Sequence, residues 1–396
     1  MADFFTGKSR FDKAHPRILV NAVPLTNIAT GIGRYIRELY LHLRKQSPEI
    51  EIRYFDGIRI RDRMPAPPQG RSAWSLGVNL AWRLPPEIVC LARMLAHEIS
   101  ARRFYRLSQD FDIYHEAGYF PFKTADQVKT VFTIHDISLK TMPEYHPRDR
   151  VLFFNKYFEN SLDRADAIIT PSEFTREELE KTYPAVNAKI HPIPLGCDKS
   201  LFCTHSQEQM DAFKSGMQLP EKYVLFAATS DPRKNIQAVF KAMAQLPPSI
   251  KLVCAGWAGW GQGLEKSPIA ATLKDRIIFT GYVSDADLAL LYAGARVFVY
   301  PSFYEGFGLP VLEAMACGCP VVCANTASLP EVAGNAAIYC DPQDALCLAN
   351  AIAEVFASDA LYAQLSRQGL EQAAHFDWSA AAEKTLNVFQ YAGNHQ

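Results

Sequence analysis

Glu305 and Glu313 stand on either side of a Gly306-Phe-Gly-Leu-Pro-Val-Leu312 run, and two cations, Arg233 and Lys234, sit earlier in Thr229-Ser-Asp-Pro-Arg-Lys-Asn235. Glycines let a backbone come close to a ligand, and the first N–H groups of a helix bind anions because they lack intrahelical partners and the helix dipole points at the ligand. Carboxylates beside such an anion site suit uncharged hydroxyls on the same ligand. A phosphorylated sugar or a nucleotide combines both features. Arg233 and Lys234 follow the strand-like run Tyr223–Ala228, with Asn235 opening a helix. Two cations there suit a diphosphate leaving group, neutralising charge as it develops. Taken one at a time, each run also fits an ordinary strand-to-helix connection with solvated charges.

The elements around these residues repeat one pattern. Arg296-Val-Phe-Val-Tyr300 reads as a buried strand, Pro310 as a first helical residue and Gly318 as a helix end. Near the start, the strand Arg17–Val23 leads through Thr30-Gly-Ile-Gly-Arg34 into a helical pattern on Tyr35, Ile36, Leu39 and Leu43. The third glycine of the dinucleotide pattern is missing, because Arg34-Tyr-Ile36 follows Gly33, and this disfavours a NAD oxidoreductase. Further strand-like runs at 51–55, 112–115, 128–134, 167–170 and 189–193 alternate with helical stretches, which predicts a parallel sheet covered by helices. Pro192-Ile-Pro-Leu-Gly196 reads as a hinge, and a second alternation follows at 223–228, 250–254, 276–280, 296–300, 320–323 and 336–339. Two α/β halves with a ligand cleft at facing strand ends are expected. A further glycine loop, Ala255-Gly-Trp-Ala-Gly-Trp-Gly-Gln-Gly263, falls on the same sheet edge as the two charged runs if the sheet is parallel.

At 396 residues, with a net charge of −1, the chain has room for two cores and lacks the positive field of a nucleic-acid binder. The N-terminal residues have no long apolar core, so a signal peptide is not expected, and no apolar run approaches the roughly 20 residues of a membrane span. Nine scattered cysteines predict reduced thiols in a cytoplasm. Cys317, Cys319 and Cys323 lack the spacing of a closed zinc site and read as small buried fillers, and no metal ligands are expected. Residues 60–110 interrupt the rhythm and read as an insertion. Within it, 74–107 mix aromatic and aliphatic residues with Arg83, Arg93, Arg102, Arg103 and Arg106 against only Glu87 and Glu98. That composition suits either a solvated basic face or peripheral contact with an anionic membrane.

Glu305-Gly-Phe-Gly-Leu-Pro-Val-Leu-Glu313 resembles the Glu-x7-Glu signature of retaining glycosyltransferase family 4. The resemblance runs through Gly31-Ile-Gly-Arg34, Thr133-Ile-His-Asp136, Thr170-Pro-Ser-Glu-Phe174, Leu195-Gly-Cys-Asp198, Asp231-Pro-Arg-Lys-Asn235, Ala255–Trp260, Ile278-Phe-Thr-Gly-Tyr282 and Phe376-Asp-Trp378. It implies the GT-B fold, with two facing Rossmann-like domains: residues 1–196 on the acceptor side (insertion about 60–110), 197–374 binding the nucleotide sugar, and 375–396 a final helix returning to the first domain. The Pro-Arg-Lys-Asn run and the Gly-Trp loop look most like the bacterial mannosyltransferase and rhamnosyltransferase branch, which favours a GDP-mannose donor over UDP-glucose or a deoxy sugar nucleotide.

The same resemblance implies roles. Glu313 would hold the ribose hydroxyls and Glu305 the donor sugar, with backbone N–H groups of Phe307, Gly308 and Leu309 toward sugar or phosphate. Lys234 matches the diphosphate lysine. Many relatives carry an arginine five residues before it, where Thr229 stands, and Arg233 is the candidate second cation. His135 would face the donor sugar above Gly31 and Gly33, and Tyr282 would border the base. His135 also fits a packed histidine at a strand end. The expected reaction is metal-independent, cofactor-free hexosyl transfer with retention to a saccharide or lipid-linked acceptor in polysaccharide or lipopolysaccharide assembly, on the cytoplasmic side. The alternatives are a nucleotide-sugar epimerase, a non-catalytic sugar-nucleotide sensor and, with the two glutamates as acid and nucleophile, a glycoside hydrolase.

Overall fold

The computed structural model describes residues 16–26, 31–66, 85–118, 120–256 and 267–394. Its strands form two sheets. The first contains β1 (Ile18–Asn21), β2 (Ile52–Phe55), β3 (Ile60–Arg61), β4 (Ile113–Glu116), β5 (Lys129–Thr133), β6 (Ala167–Thr170) and β7 (Ile190–Pro192), in the order β3-β2-β1-β4-β5-β6-β7. The second contains β8 (Tyr223–Ala227), β9 (Lys251–Ala255), β10 (Ile277–Gly281), β11 (Val297–Tyr300), β12 (Val321–Ala324) and β13 (Ala337–Cys340), in the order β10-β9-β8-β11-β12-β13. Every pairing is parallel except the short antiparallel β2–β3 ladder. Strands such as β1, β6, β8 and β11 are buried at every position, because helices cover both faces. Hence they appear in the sequence as unbroken apolar runs rather than alternating ones.

Each sheet reverses direction once. The chain steps outward from β1 to β2 and then crosses to β4; it steps from β8 through β9 to β10 and then crosses to β11. In open parallel sheets ligands bind outside the carboxyl ends of strands at this reversal. The loops after β1, β8 and β11 carry Gly31, Lys234 and Glu305 respectively, so the fold delivers all three to reversal points.

The helices used below are α1 (Gly31–Gln46), α2 (Pro86–Leu107), α3 (Arg148–Arg164), α4 (Glu173–Thr182), α5 (Ile236–Gln245), α6 (Asp285–Gly294), α7 (Leu309–Ala316), α8 (Asp359–Ala374) and α9 (Trp378–Asn394). Asp377 caps α9, accepting from the Ser379 N–H at 2.5 Å. From the second half, α9 returns to pack on α1, β5 and β6. The chain leaving the first sheet runs flush against it: a Cβ on Gly196 would lie 2.2 Å from the Trp378 backbone nitrogen, so only glycine fits.

The span 60–110, expected as an insertion, contains α2, the helix that carries the chain from β3 back across the sheet to β4 and packs on α3. Its helical period is hard to see because apolar residues occupy both its inner face, with Cys90 and Phe104 buried, and its outer face. Residues 67–84 lie outside the described residues. The expectation of reduced thiols fails at one pair: β13 and the helix after it bring Cys340 and Cys347 to a Cα separation of 5.8 Å, and they form a disulfide. The other seven cysteines are free, with Cys317, Cys319 and Cys323 buried. Among the described residues no cluster of three or more His, Cys, Asp or Glu has metal-binding geometry, and no single helix is long and apolar enough to cross a membrane.

Candidate active site

The loop between β11 and α7 is held from several sides. The Ser328 hydroxyl donates to the carbonyls of Glu305 at 2.9 Å and Phe307 at 2.8 Å. Gly308 has φ +110°, a conformation L side chains rarely adopt, and it turns the chain into α7. Pro310 is the second residue of α7 rather than the first, and Gly318, with φ +73°, follows its end. Phe307 is buried, edge-on to Phe376 at 5.7 Å. The loop therefore presents Glu305 and the start of α7 together, with Glu313 on the helix.

The other charged run divides its two cations. Asp231 accepts from the Arg233 N–H at 3.0 Å and from its guanidinium at 2.7 Å, while the Arg233 guanidinium also donates to Ser138 at 2.7 Å in the first half and meets Asp136 at 3.5 Å. Burial would push the Asp136 carboxyl up, but Arg233 and the Ser138 hydroxyl and N–H hold it below the usual carboxylate range. Burial, reinforced by Arg233, pushes the neighbouring His146 down to about 4. Lys234 turns the other way, placing its ammonium 2.5 Å from Glu305 and 5.5 Å from the centre of the Tyr300 ring. Asn235 follows in the left-handed region at φ 56°, and its amide donates to the carbonyls of Pro301 and Pro342. Lys234 faces Glu305, whereas Arg233 ties the two halves together.

The first half meets this loop directly. A Cβ on Gly306 would lie 1.8 Å from the His135 carbonyl oxygen. Ser172 and Thr175, at the start of α4, both donate to the Gly306 carbonyl, at 2.6 and 3.0 Å. Glu331 accepts from the first N–H groups of α4, those of Glu173 and Phe174, and Tyr304 donates to Glu178. The His135 ring bonds the Ala117 carbonyl at 3.0 Å and meets Tyr35 edge-on at 4.9 Å. Burial lowers its pKa, with the Ala117 carbonyl opposing, so the ring is neutral at pH 7. Gly33 is buried, and Gly31 faces α7, with Leu309 4.0 Å from where its Cβ would be. Tyr282 lies in the β10–α6 loop and is largely exposed.

One residue of the site was not singled out by the sequence. Arg34, in the first turn of α1, donates to Glu313 across the seam and reaches Asp285 at 2.5 Å, with Phe202 stacked 5.1 Å below it. The only sequence signal for it is its place directly after the glycine turn. Glu313 is 3% exposed, and burial pushes its carboxyl up to about 7 although Arg34 opposes the shift. Glu305 and Lys234 thus form a pair within one half, and Glu313 and Arg34 a pair between halves. Chemically, the site offers an ammonium and a helix N-terminus for an anion, and two carboxylates for hydroxyls.

Two Rossmann-like halves facing each other across these loops are the arrangement of the GT-B fold. WaaG, a glycosyltransferase involved in lipopolysaccharide biosynthesis, superposes with a TM-score of 0.71 at 14% identity, covering 94% of this chain and 99% of that one. Sucrose-phosphate synthase from Thermosynechococcus elongatus superposes with a TM-score of 0.69 at 22% identity, covering 95% and 98%. Residues 207–372 match the family model for glycosyl transferases group 1, and residues 29–201 that for glycosyltransferase family 4. The O-antigen chain mannosyltransferase B of Escherichia coli is 35% identical over 382 residues, 94% of this chain and 99% of that protein. The serotype-specific mannosyltransferase WbdA of Escherichia coli is 32% identical over 279 residues, 67% of this chain but 34% of that protein. The chain belongs to glycosyltransferase family 4.

The division of the two cations predicts different damage from removing each. Arg233→Met strips the buried Asp231 and the partly buried Asp136 of their cation, and stability measured by denaturant unfolding falls by about 3–5 kcal/mol.

Proposed function

We propose that this glycosyltransferase is a retaining mannosyltransferase that moves mannose from GDP-mannose to a hydroxyl of a saccharide or lipid-linked glycan in O-antigen or related surface-polysaccharide assembly. The observation that carries the reading is the likeness to O-antigen chain mannosyltransferase B along nearly the whole of both chains, acceptor half included.

In this reading the donor lies along the seam. Glu313 accepts hydrogen bonds from the ribose hydroxyls, Glu305 from the transferred sugar, and Tyr282 borders the base. The N–H groups of Phe307, Gly308 and Leu309, with the turn at Gly31 and Gly33, take sugar and phosphate oxygens. Lys234, 2.5 Å from Glu305, is placed to take the diphosphate charge as the glycosidic bond breaks. Arg233 supports that step indirectly, through the packing of the two halves. His135, neutral and beside the sugar, gives its Nε2–H to the Ala117 carbonyl and accepts one hydrogen bond at Nδ1 without adding charge. The C1–phosphate bond breaks and the acceptor oxygen–C1 bond forms on the same face of the sugar. The acceptor proton passes to the departing phosphate oxygen, so the protein supplies charge stabilisation, without a metal or cofactor.

The outer face of α2 supports peripheral membrane contact. Ile88, Leu91, Leu95 and Ile99 form one row, each more than half exposed, and Arg102, Arg103 and Arg106 follow it. An apolar row ending in cations suits a leaflet rich in anionic lipid on the cytoplasmic side, where a lipid-linked acceptor is presented.

A panel of nucleotide sugars scored by thermal shift tests the donor: GDP-mannose raises the melting temperature most, because a bound donor stabilises the native state. A larger shift with UDP-glucose or a deoxy sugar nucleotide rejects GDP-mannose. Lys234→Ala lowers kcat by about 10²-fold or more, and unchanged turnover removes the lysine from the mechanism. The wild-type protein floats with vesicles containing anionic lipid and not with neutral ones, whereas the Leu91→Glu, Leu95→Glu double variant stays at the bottom of the gradient. Equal flotation of both proteins overturns the membrane assignment.

A further inference from the structure

The two acids of the site obtain their cations differently. Glu305 has Lys234 from its own half, whatever the other half does. Glu313 lies on α7 of the second half, and its cation is Arg34 of α1 in the first. Opening the seam leaves the Glu305 pair intact and takes Arg34 away from Glu313. Arg34 is held in place by Asp285 at 2.5 Å and by the Phe202 ring, so its guanidinium reaches the carboxylate from a fixed position. It bonds Oε1 of Glu313, which leaves the second carboxylate oxygen as the acceptor for a hydroxyl.

We infer that Arg34 is a positioning residue through which closure of the two halves readies Glu313 for the donor nucleotide. This rests on the reading that Glu313 accepts the ribose hydroxyls. An ionised carboxylate accepts hydrogen bonds at both oxygens, whereas a protonated one turns one of them into a donor, and burial favours the protonated form unless a positive partner opposes it. The groups facing Glu313 are Arg34 from α1, Asp285 and Tyr292 from α6, Cys317 at the end of its own helix and Cys197 from the segment joining the halves. Arg34 is the cation in this set. Asp285 raises the carboxyl's pKa and burial raises it more, so the charge on Glu313 depends on Arg34. The donor's ribose would then be bound firmly only when the halves have closed around it, which couples recognition of the nucleotide to assembly of the reaction site.

The sign of the pH dependence follows. Glu313 binds hydroxyls as the carboxylate, so nucleotide affinity falls as pH drops through its pKa, which burial places near neutrality. Without Arg34 that pKa rises further and the acid limb of the affinity profile moves to higher pH. A rise of one unit is a loss of about tenfold in the ionised fraction below the pKa.

Calorimetric titration with GDP, and with UDP in parallel, from about pH 6 to about pH 9 is the test, applied to the wild-type protein, Arg34→Ala, Arg34→Lys and Glu313→Gln. The tighter of the two nucleotides is followed in every protein. Arg34→Ala is expected to bind about tenfold more weakly near neutral pH and to regain affinity at the alkaline end, with Arg34→Lys close to wild type. An equal loss at every pH marks a purely structural role and overturns the inference, as does unchanged or tighter binding by Arg34→Ala. Circular dichroism and thermal melting confirm that each variant is folded, and if Arg34→Ala does not fold, Arg34→Gln is read in its place by the same criteria. Glu313→Gln tests the underlying reading separately. If it binds the nucleotide as well as wild type, the ribose assignment is wrong; if it binds weakly and with no acid limb while the Arg34 variants keep the wild-type profile, only the role of Arg34 is wrong.

Discussion

Gly306 lies against the His135 carbonyl so closely that a methyl group would sit 1.8 Å from its oxygen, and much of the site follows from that approach. The distance brings the carbonyl of Gly306 within reach of Ser172 and Thr175, and Glu331 within reach of the first N–H groups of α4. The approach of the Gly306 α-carbon to the His135 carbonyl makes no N–H or O–H hydrogen bond of its own. The seam holds because the hydroxyls and the helix N-terminus of α4 supply the donors that the loop lacks. The loop that carries Glu305 is therefore positioned by the first half as much as by its own strand and helix.

Charge burial divides the site along the same seam. Asp231 is almost wholly enclosed and has Arg233, Glu313 has Arg34, and Glu305 has Lys234. Buried acids are costly without partners, and each partner here acts differently. Arg233 is planar, forked and bonded on several sides by Asp231, Ser138 and Asp136, which suits a fixed strut. Lys234 donates to one carboxylate oxygen of Glu305 and has a flexible stem, which suits an ammonium that exchanges Glu305 for a phosphate. Adjacent residues of the same charge thus have unlike surroundings because they are consecutive in the 3-10 turn Pro232–Lys234, whose side chains point in different directions.

The parts of this arrangement visible in the amino-acid sequence are those set by local rules. Many strands buried on both faces appear as short, largely apolar runs, and all but the two-residue β3 stand where the sequence reads as strand-like. Gly308, Pro310 and Gly318 mark the loop and the limits of α7 to within a residue, because each meets a backbone requirement that few other residues meet. What was hidden depends on distant parts of the chain. Arg34 and Glu313 are 279 positions apart, and no spacing rule connects them. Nothing in the sequence showed that Arg233, the candidate second cation, bonds Ser138 and Asp136 of the other half. The helix α2 was obscured by having apolar residues on both faces, where amphipathic periodicity is the usual signal.

The same contrast says where specificity resides. The features legible from spacing, namely the glycine loops, the helix start and the two acids, would serve any nucleoside diphosphate sugar. Choice among donors and acceptors depends on what the two halves add when they meet. At the seam the first half contributes Arg34, a neutral His135 and the hydroxyls of Ser138, Ser172 and Thr175, while its Asp136 is taken up by Arg233. If His135 faces the transferred sugar, as proposed, its neutral ring discriminates by the geometry of a single hydrogen bond, whereas a charged group would attract differently placed hydroxyls alike. In the proposed reading a donor held by loops from both halves is recognised fully only when the halves meet. The burden of selectivity then falls on the seam, where the Gly306–His135 approach sets how close the loop carrying Glu305 comes to the first half.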